Sequence, residues 1–280
     1  MDNYIHDALI RFAQEGGNVV VLTGAGISAE SAVPTFRGPD GYWQVGSEVY
    51  QPQEMATHHM FTRQPDQVWQ WYLYRLAVCA RAQPNAGHEA LVAMERQLSD
   101  RFILITQNVD GLHLRAGSSL ARTCQIHGNL FYMRCADECH DKHYAVPLEL
   151  RQERRDNILP VAAQRKLRCP VCGGFSRPHV LWFDETYNDR YYFLSKALTA
   201  ARRAAVLIVV GTSGATNLPN QIVHIAAQQG ALIIDINVAF NRFSQMALQS
   251  GRGYFIKGSS GELLPLVARC FEADPKPAGR

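Results

Sequence analysis

Four short apolar runs rich in branched residues, at 18–23, 102–107, 205–211 and 231–237, each end on a polar or glycine-rich tip, and a weaker run follows at 254–256. Continuous apolar runs of this length fit strands buried on both faces, the condition of a parallel sheet covered by helices. Between them helical spacing recurs at 86–98, 189–204, 218–229 and 262–271, with a further apolar stripe in 1–17, so strand and helix alternate. The alternation predicts an α/β chain built on a Rossmann-like, doubly wound parallel sheet. Ligands of such sheets bind beyond the carboxyl ends of the strands. The tips Thr23-Gly24-Ala25-Gly26, Gln107-Asn108-Val109-Asp110, Gly211-Thr212-Ser213-Gly214 and Asp235-Ile236-Asn237 are therefore where chemistry is expected.

The stretch between Cys135 and Cys172 interrupts the alternation. Seven cysteines occur in the chain, and four of them form the pairs Cys135-x3-Cys139 and Cys169-x2-Cys172, separated by 29 residues. Two such pairs suit a closed tetrahedral zinc site in a reducing compartment, and Cys172-Gly173-Gly174 gives the small-residue turn of a zinc knuckle. The first pair has three intervening residues where two is commoner, which leaves His140 or His143 open as a substitute ligand. A fully ligated zinc cannot activate water, so its expected role is structural. Residues 135–172 are read as an inserted zinc-binding module, and the small domain can also take in part of 36–85. Residues 1–134 and 173–272 form the discontinuous Rossmann-like domain, and 273–280 a flexible tail.

A net charge of +3 is too small to argue for a nucleic-acid surface, and the basic stretch at 151–155 reads as solvated loop. No apolar run is long enough to span a bilayer, and the N-terminus lacks a secretory signal. A soluble, cytoplasmic protein is expected.

The segment Gly24-Ala25-Gly26-Ile27-Ser28-Ala29 fits G-x-G-x-x-G/A, in which glycines allow a tight turn and close approach of backbone to a pyrophosphate. The acidic residue that completes a dehydrogenase fingerprint about 20 positions later is missing. An arginine-containing loop, Pro34-Thr35-Phe36-Arg37, follows instead, which argues against simple hydride transfer.

These two segments resemble the cofactor loop of the sirtuins, the NAD-dependent protein deacylases. Thr106-Gln107-Asn108-Val109-Asp110-Gly111-Leu112-His113, Ile126-His127-Gly128, Arg177-Pro178-His179-Val180-Leu181-Trp182-Phe183 and Gly211-Thr212-Ser213 match further signatures in the expected order. The resemblance implies NAD as co-substrate, bound by Gly24, Ala25, Gly26, Ser28, Phe36, Arg37, Gln107, Asn108, Asp110, Gly211, Thr212, Ser213 and Asn237. It implies His127 as general base, with Asn108 and Asp110 also catalytic, and acylated lysine in a protein or peptide as substrate. Val180, Trp182 and Phe183 would lie along that peptide, while His179 is read as structural.

On the predicted helix 66–80, Val68, Tyr72, Arg75 and Cys79 share one stripe, and an arginine on an apolar stripe either snorkels or faces a carboxylate. Tyr72 and Arg75, three residues apart, are similar to the pair that marks the desuccinylase and demalonylase branch. Thr35, where deacetylases usually carry aspartate, points the same way. The resemblance thus implies succinyl, malonyl or glutaryl-lysine ahead of acetyl-lysine. The rival readings are ADP-ribosyl transfer to protein, plain NAD hydrolysis, and a non-enzymatic zinc-ribbon or NAD sensor. Two departures stand out: Ala239 occupies a position where the family often has an acidic residue, and Gly214-Ala215-Thr216-Asn217-Leu218 replaces a commoner apolar stretch.

Overall fold

The computed structural model describes residues 3–34, 52–152 and 158–272. Its strands are β1 (Asn18–Thr23), β2 (Phe102–Thr106), β3 (Thr123–Gln125), β4 (Gly128–Cys135), β5 (His143–Ala145), β6 (Ser176–Val180), β7 (Ala204–Val210), β8 (Leu232–Asn237) and β9 (Gly253–Lys257). Six of them form one parallel sheet in the order β3-β2-β1-β7-β8-β9. The order runs backwards to β1 and forwards from β7, so the chain reverses its winding between these two strands. That reversal opens a crevice at their carboxyl ends.

Alternation along each strand divides the core. Val19 and Val21 of β1, Val206, Ile208 and Val210 of β7, and Leu232, Ile234 and Ile236 of β8 enter one apolar cluster. Val20 and Leu22, Leu207 and Val209, and Ile233 enter the other. Helices Ala86–Leu98 and Ser260–Arg269 cover the first face, while Leu194–Arg203 and Asn217–Gln228 cover the second. With both faces dry, each strand reads as a solid apolar run, which is why the runs at 18–23 and 102–107 locate β1 and β2 so closely.

The helix expected over 189–204 is broken. It runs Asp189–Tyr192 and resumes at Leu194–Arg203, with Phe193 between them in the left-handed region at φ 54°. Asn188 caps the first piece through the Tyr191 amide, and the Asp189 carboxylate accepts the Ser195 amide and hydroxyl, so two polar side chains hold the break. Short β3 has no counterpart in the sequence reading. It is a three-residue edge strand whose apolar content is too small to register.

The second sheet is antiparallel, in the order β5-β4-β6, and draws on residues to either side of 135–172. Helix Pro65–Arg81 packs on it: Val68, Trp69, Tyr72, Leu73 and Leu76 share a buried cluster with Leu130, Met133, Val180 and Trp182, and the Trp69 indole donates to the Ser176 carbonyl at 2.8 Å. All four residues of the predicted stripe, Arg75 included, are buried. No helix among the described residues is long and apolar enough to cross a membrane.

Candidate active site

The crevice is a cavity of about 760 Å³, within the range of small-molecule sites. Its walls bring together Gly24, Ala25, Gly26, Gln107, Asn108, His127, Gly211, Thr212, Ser213 and Asn237 from the large sheet with Tyr72, Arg75, Val180, Trp182 and Phe183 from the small-sheet side. Phe36 and Arg37, like Thr35, lie outside the described residues. Ser28 and Asp110 are buried behind the glycine loop and do not line the cavity.

The glycines make a tight turn that packs on the loop after β7. The amides of Gly24 and Gly26 donate to the carbonyls of Val210 and Gly211 at 2.9 and 2.8 Å, so they are spent inside the protein. Their missing side chains are what matters: a Cβ on Gly26 would meet Gly211 Cα at 2.6 Å, and one on Gly211 would meet Gly26 Cα at 2.6 Å. Gly211 also has φ +59°, which disfavours any side chain. The loop continues as a 3-10 helix, Ala25–Ser31, and not as the long α-helix of a dehydrogenase.

Behind the loop, Asn108 Nδ2 donates to the Gly24 carbonyl and to Ser28 Oγ, both at 3.1 Å, and Ser28 Oγ donates to Asp110 at 2.7 Å. Asp110 also accepts the Leu112 amide at 2.9 Å, while burial pushes its carboxyl upward. These three residues thus brace the loop from below. Gln107 Nε2 reaches Thr212 Oγ1 at 2.9 Å, and Asn237 Nδ2 reaches the Thr212 carbonyl at 3.1 Å, which joins the tips of β2, β7 and β8 into one wall.

His127 stands where the two sheets meet, one residue before β4. Its Nδ1 lies 2.9 Å from the Gln107 carbonyl and its Nε2 2.8 Å from the Tyr187 hydroxyl. A carbonyl oxygen only accepts, so Nδ1 carries the proton and Nε2 presents its lone pair. Burial lowers the imidazole pKa to about 4, leaving it neutral near pH 7 with its lone pair on Nε2. The next residue, Gly128, has φ +84°, and a Cβ there would sit 2.1 Å from the His179 carbonyl, so glycine is required for β4 to approach β6 beside the imidazole. Tyr187 and Thr216 belong to the site but were missed by the sequence reading. Each sits in a polar loop or cap with no periodicity to mark it.

Along 180–183 the amides of Leu181, Trp182 and Phe183 donate to the His127 carbonyl, Glu185 and the Ala56 carbonyl, so the segment is fixed against its own chain. Phe183 is exposed at the cavity mouth. Arg75 is only 5% exposed, and its guanidinium lies 4.7 Å from the Trp71 ring centroid. Beside it the Tyr72 hydroxyl accepts the Trp182 indole N–H at 3.0 Å, and burial pushes the phenol up to about 12.

The four cysteines gather as expected. Their sulfur atoms lie within 4.8 Å of one another, with Cys135 and Cys172 3.6 Å apart and Cys139 and Cys169 3.7 Å apart. Tetrahedral zinc with Zn–S of about 2.3 Å requires sulfurs about 3.8 Å apart, so the set fits a closed site. His140 stands beside it, Nε2 3.3 Å from Cys169 Sγ, and the His143 ring packs tilted against His179 with centroids 3.9 Å apart, so neither is needed as a ligand. Zinc bound there would tie β4 to the knuckle ahead of β6 without entering the reaction.

Two outcomes follow. Chelating the zinc releases one ion per chain and unfolds the small sheet while the parallel sheet keeps its circular dichroism; release without structural loss contradicts the staple. His127 and His88 both have folded pKa values lowered to about 4 against 6.5 when free. Their stabilising contribution is thus complete above pH 6.5 and lost as pH falls toward 4, because the unfolded chain binds their protons more readily. Imidazole titration by NMR should find His127 half-protonated near pH 4, and a midpoint near 6.5 contradicts the burial argument.

Comparison with known proteins agrees with this geometry. The Sir2 family model matches residues 24–217. An NAD-dependent protein deacylase of Leptospira interrogans is 38% identical over 251 residues, covering 90% of this chain and 92% of that one. A Sir2 homolog–NAD complex superposes with a TM-score of 0.76 at 35% identity, over 94% of this chain and 92% of the other. A mutant Sir2 homologue bound to 2'-O-acetyl-ADP-ribose gives 0.77 at 34% identity, over 97% and 96%. The parallel sheet, the four-cysteine cluster and the ordered motifs converge with these matches: the chain belongs to the Sir2 family.

Proposed function

We propose that this protein is an NAD-dependent protein-lysine deacylase that removes succinyl, malonyl or glutaryl groups in preference to acetyl, yielding nicotinamide, free lysine and O-acyl-ADP-ribose. The observation that carries the preference is a buried guanidinium, Arg75, in the wall of the same cavity as the His127 imidazole. A guanidinium in the cavity wall can give a charge-assisted hydrogen bond to the carboxylate of an acidic acyl group, which an acetyl group lacks.

The dinucleotide supplies a ribose carbon on which the acyl oxygen replaces nicotinamide. Gly24 to Gly26, with Thr212, Ser213 and Asn237, would hold its phosphates and adenosine ribose at the tips of β1, β7 and β8. Gln107 and Asn108 would meet the nicotinamide half, and Asp110 would keep that wall rigid through Ser28. His127, neutral with its lone pair on Nε2, would serve as the general base for a ribose hydroxyl and so activate it toward the acyl carbon. The substrate peptide would run along 180–183, and Tyr72 and Arg75 would receive the far end of the acyl chain. The Leptospira deacylase and the solved Sir2 homologues bound to NAD or 2'-O-acetyl-ADP-ribose support the reaction class, while the acyl preference rests on Tyr72 and Arg75.

The test is to incubate the protein with NAD and matched succinyl and acetyl peptides and weigh the products. A charge-assisted hydrogen bond of about 1.5–3 kcal/mol corresponds to a preference of about 10- to 150-fold for succinyl. O-succinyl-ADP-ribose should form, and Arg75→Met should erase the preference while acetyl turnover persists. Equal turnover of both peptides before and after the substitution contradicts the acyl reading. Release of ADP-ribose alone, or an ADP-ribosylated peptide, favours hydrolysis or transfer instead.

A further inference from the structure

The lone pair of His127 Nε2 is already in use. With Nδ1–H given to the Gln107 carbonyl, Nε2 can only accept, and the group 2.8 Å away is the Tyr187 hydroxyl, which must donate. A neutral imidazole nitrogen accepts one such bond. A ribose hydroxyl seeking the base therefore meets Tyr187 first, and either the phenol leaves or the proton passes through it.

The phenol is anchored. Its ring packs against the apolar cluster beneath the large sheet and lies 5.8 Å from the imidazole centroid. Beside it in the same wall, the Thr216 hydroxyl donates to the Gln107 side chain at 3.1 Å. Gln107 is bonded in turn to Thr212 at 2.9 Å. Displacing the ring would break its hydrogen bond to His127 and its packing together, whereas relay needs no movement. Tyr187 lines the cavity, and with its proton given to His127 its oxygen keeps lone pairs with which to accept an incoming hydroxyl.

We propose that Tyr187 is a proton-relay residue, standing between a ribose hydroxyl of the dinucleotide and the His127 base. In the step, the ribose O–H breaks and its proton bonds to the Tyr187 oxygen, while the original Tyr187 proton bonds to His127 Nε2. The phenol is neutral before and after, the imidazole becomes imidazolium, and the ribose oxygen keeps the electron pair with which it attacks the acyl carbon. The inference rests on the NAD-dependent deacylase reading above.

The experiment compares wild type, Tyr187→Phe and a protein carrying 3-fluorotyrosine at 187. In the cofactor-free proteins, imidazole ¹⁵N shifts should show a single Nδ1–H tautomer with a hydrogen-bonded Nε2 in wild type, and a free lone pair in the Phe variant. With NAD and acyl peptide, acyl transfer in a single turnover should fall about 10- to 100-fold in Tyr187→Phe. Exchange of labelled nicotinamide, which precedes the proton transfer, should fall far less. The fluorotyrosine protein should keep acyl transfer with its alkaline limb moved to lower pH, since its phenol is more acidic. Unchanged Nε2 shifts in Tyr187→Phe overturn the contact. Acyl transfer at the wild-type rate or faster, with a lower KM for NAD, shows a plug and overturns the relay. Parallel loss of exchange and transfer in both substituted proteins also overturns it, as a packing effect. Wild type that exchanges no nicotinamide overturns the parent reading along with the relay.

Discussion

Two backbone turns pack against each other with no side chain between them, and the site depends on that contact. Gly26, just after β1, and Gly211, just after β7, sit so close that a single methyl on either would lie 2.6 Å from the other's Cα. The approach is possible because β1 and β7 pair in parallel with Thr23 opposite Val210, which delivers both turns to the same level. A methyl forced into such a gap must push the turns apart, and the polar tips would separate with them. Gln107, Thr212 and Asn237 could then no longer join into one wall.

A second close approach fixes the base. Gly128 lets β4 press against the His179 backbone, and the residue before it, His127, is thereby held between the carbonyl of Gln107 on one sheet and the segment that follows β6. The small sheet is in turn joined to the four-cysteine cluster at Cys135, where β4 ends. A metal held there would be mechanically linked to the imidazole through the small sheet without a place in the chemistry. Burial that keeps the imidazole neutral and an anchored partner on each ring nitrogen give a base whose tautomer is set before substrate arrives.

The parts of this arrangement that could be read from sequence were those written in local patterns. Doubly buried strands left solid apolar runs, the cysteine pairs left their spacing, and the stripe through Val68, Tyr72, Arg75 and Cys79 showed which face of one helix is buried. Other features are set by contacts far apart in the chain. The Asp189–Ser195 bonds that break a helix, the three-residue β3, and the meeting of Tyr187 with an imidazole sixty residues away leave no periodic trace. In the glycine loop the amides of Gly24 and Gly26 turn to Val210 and Gly211, and this loop-on-loop packing is a use of the glycines that the local pattern does not show. Asp235 is a further example, buried in the middle of an apolar strand and held by Ser244 at 2.5 Å and Asn241 at 2.9 Å, where the run of branched residues hides a polar cluster.

A crystal structure of the protein with NAD and an acyl-lysine peptide tests the central claim most directly, that the strand tips hold a dinucleotide with its ribose facing the neutral imidazole. The account requires a ribose hydroxyl within hydrogen-bonding distance of the His127–Tyr187 pair, with the pyrophosphate against the Gly24–Gly26 turn. A cofactor bound elsewhere, or an imidazole rotated out of the cavity and remote from the sugar, would contradict it.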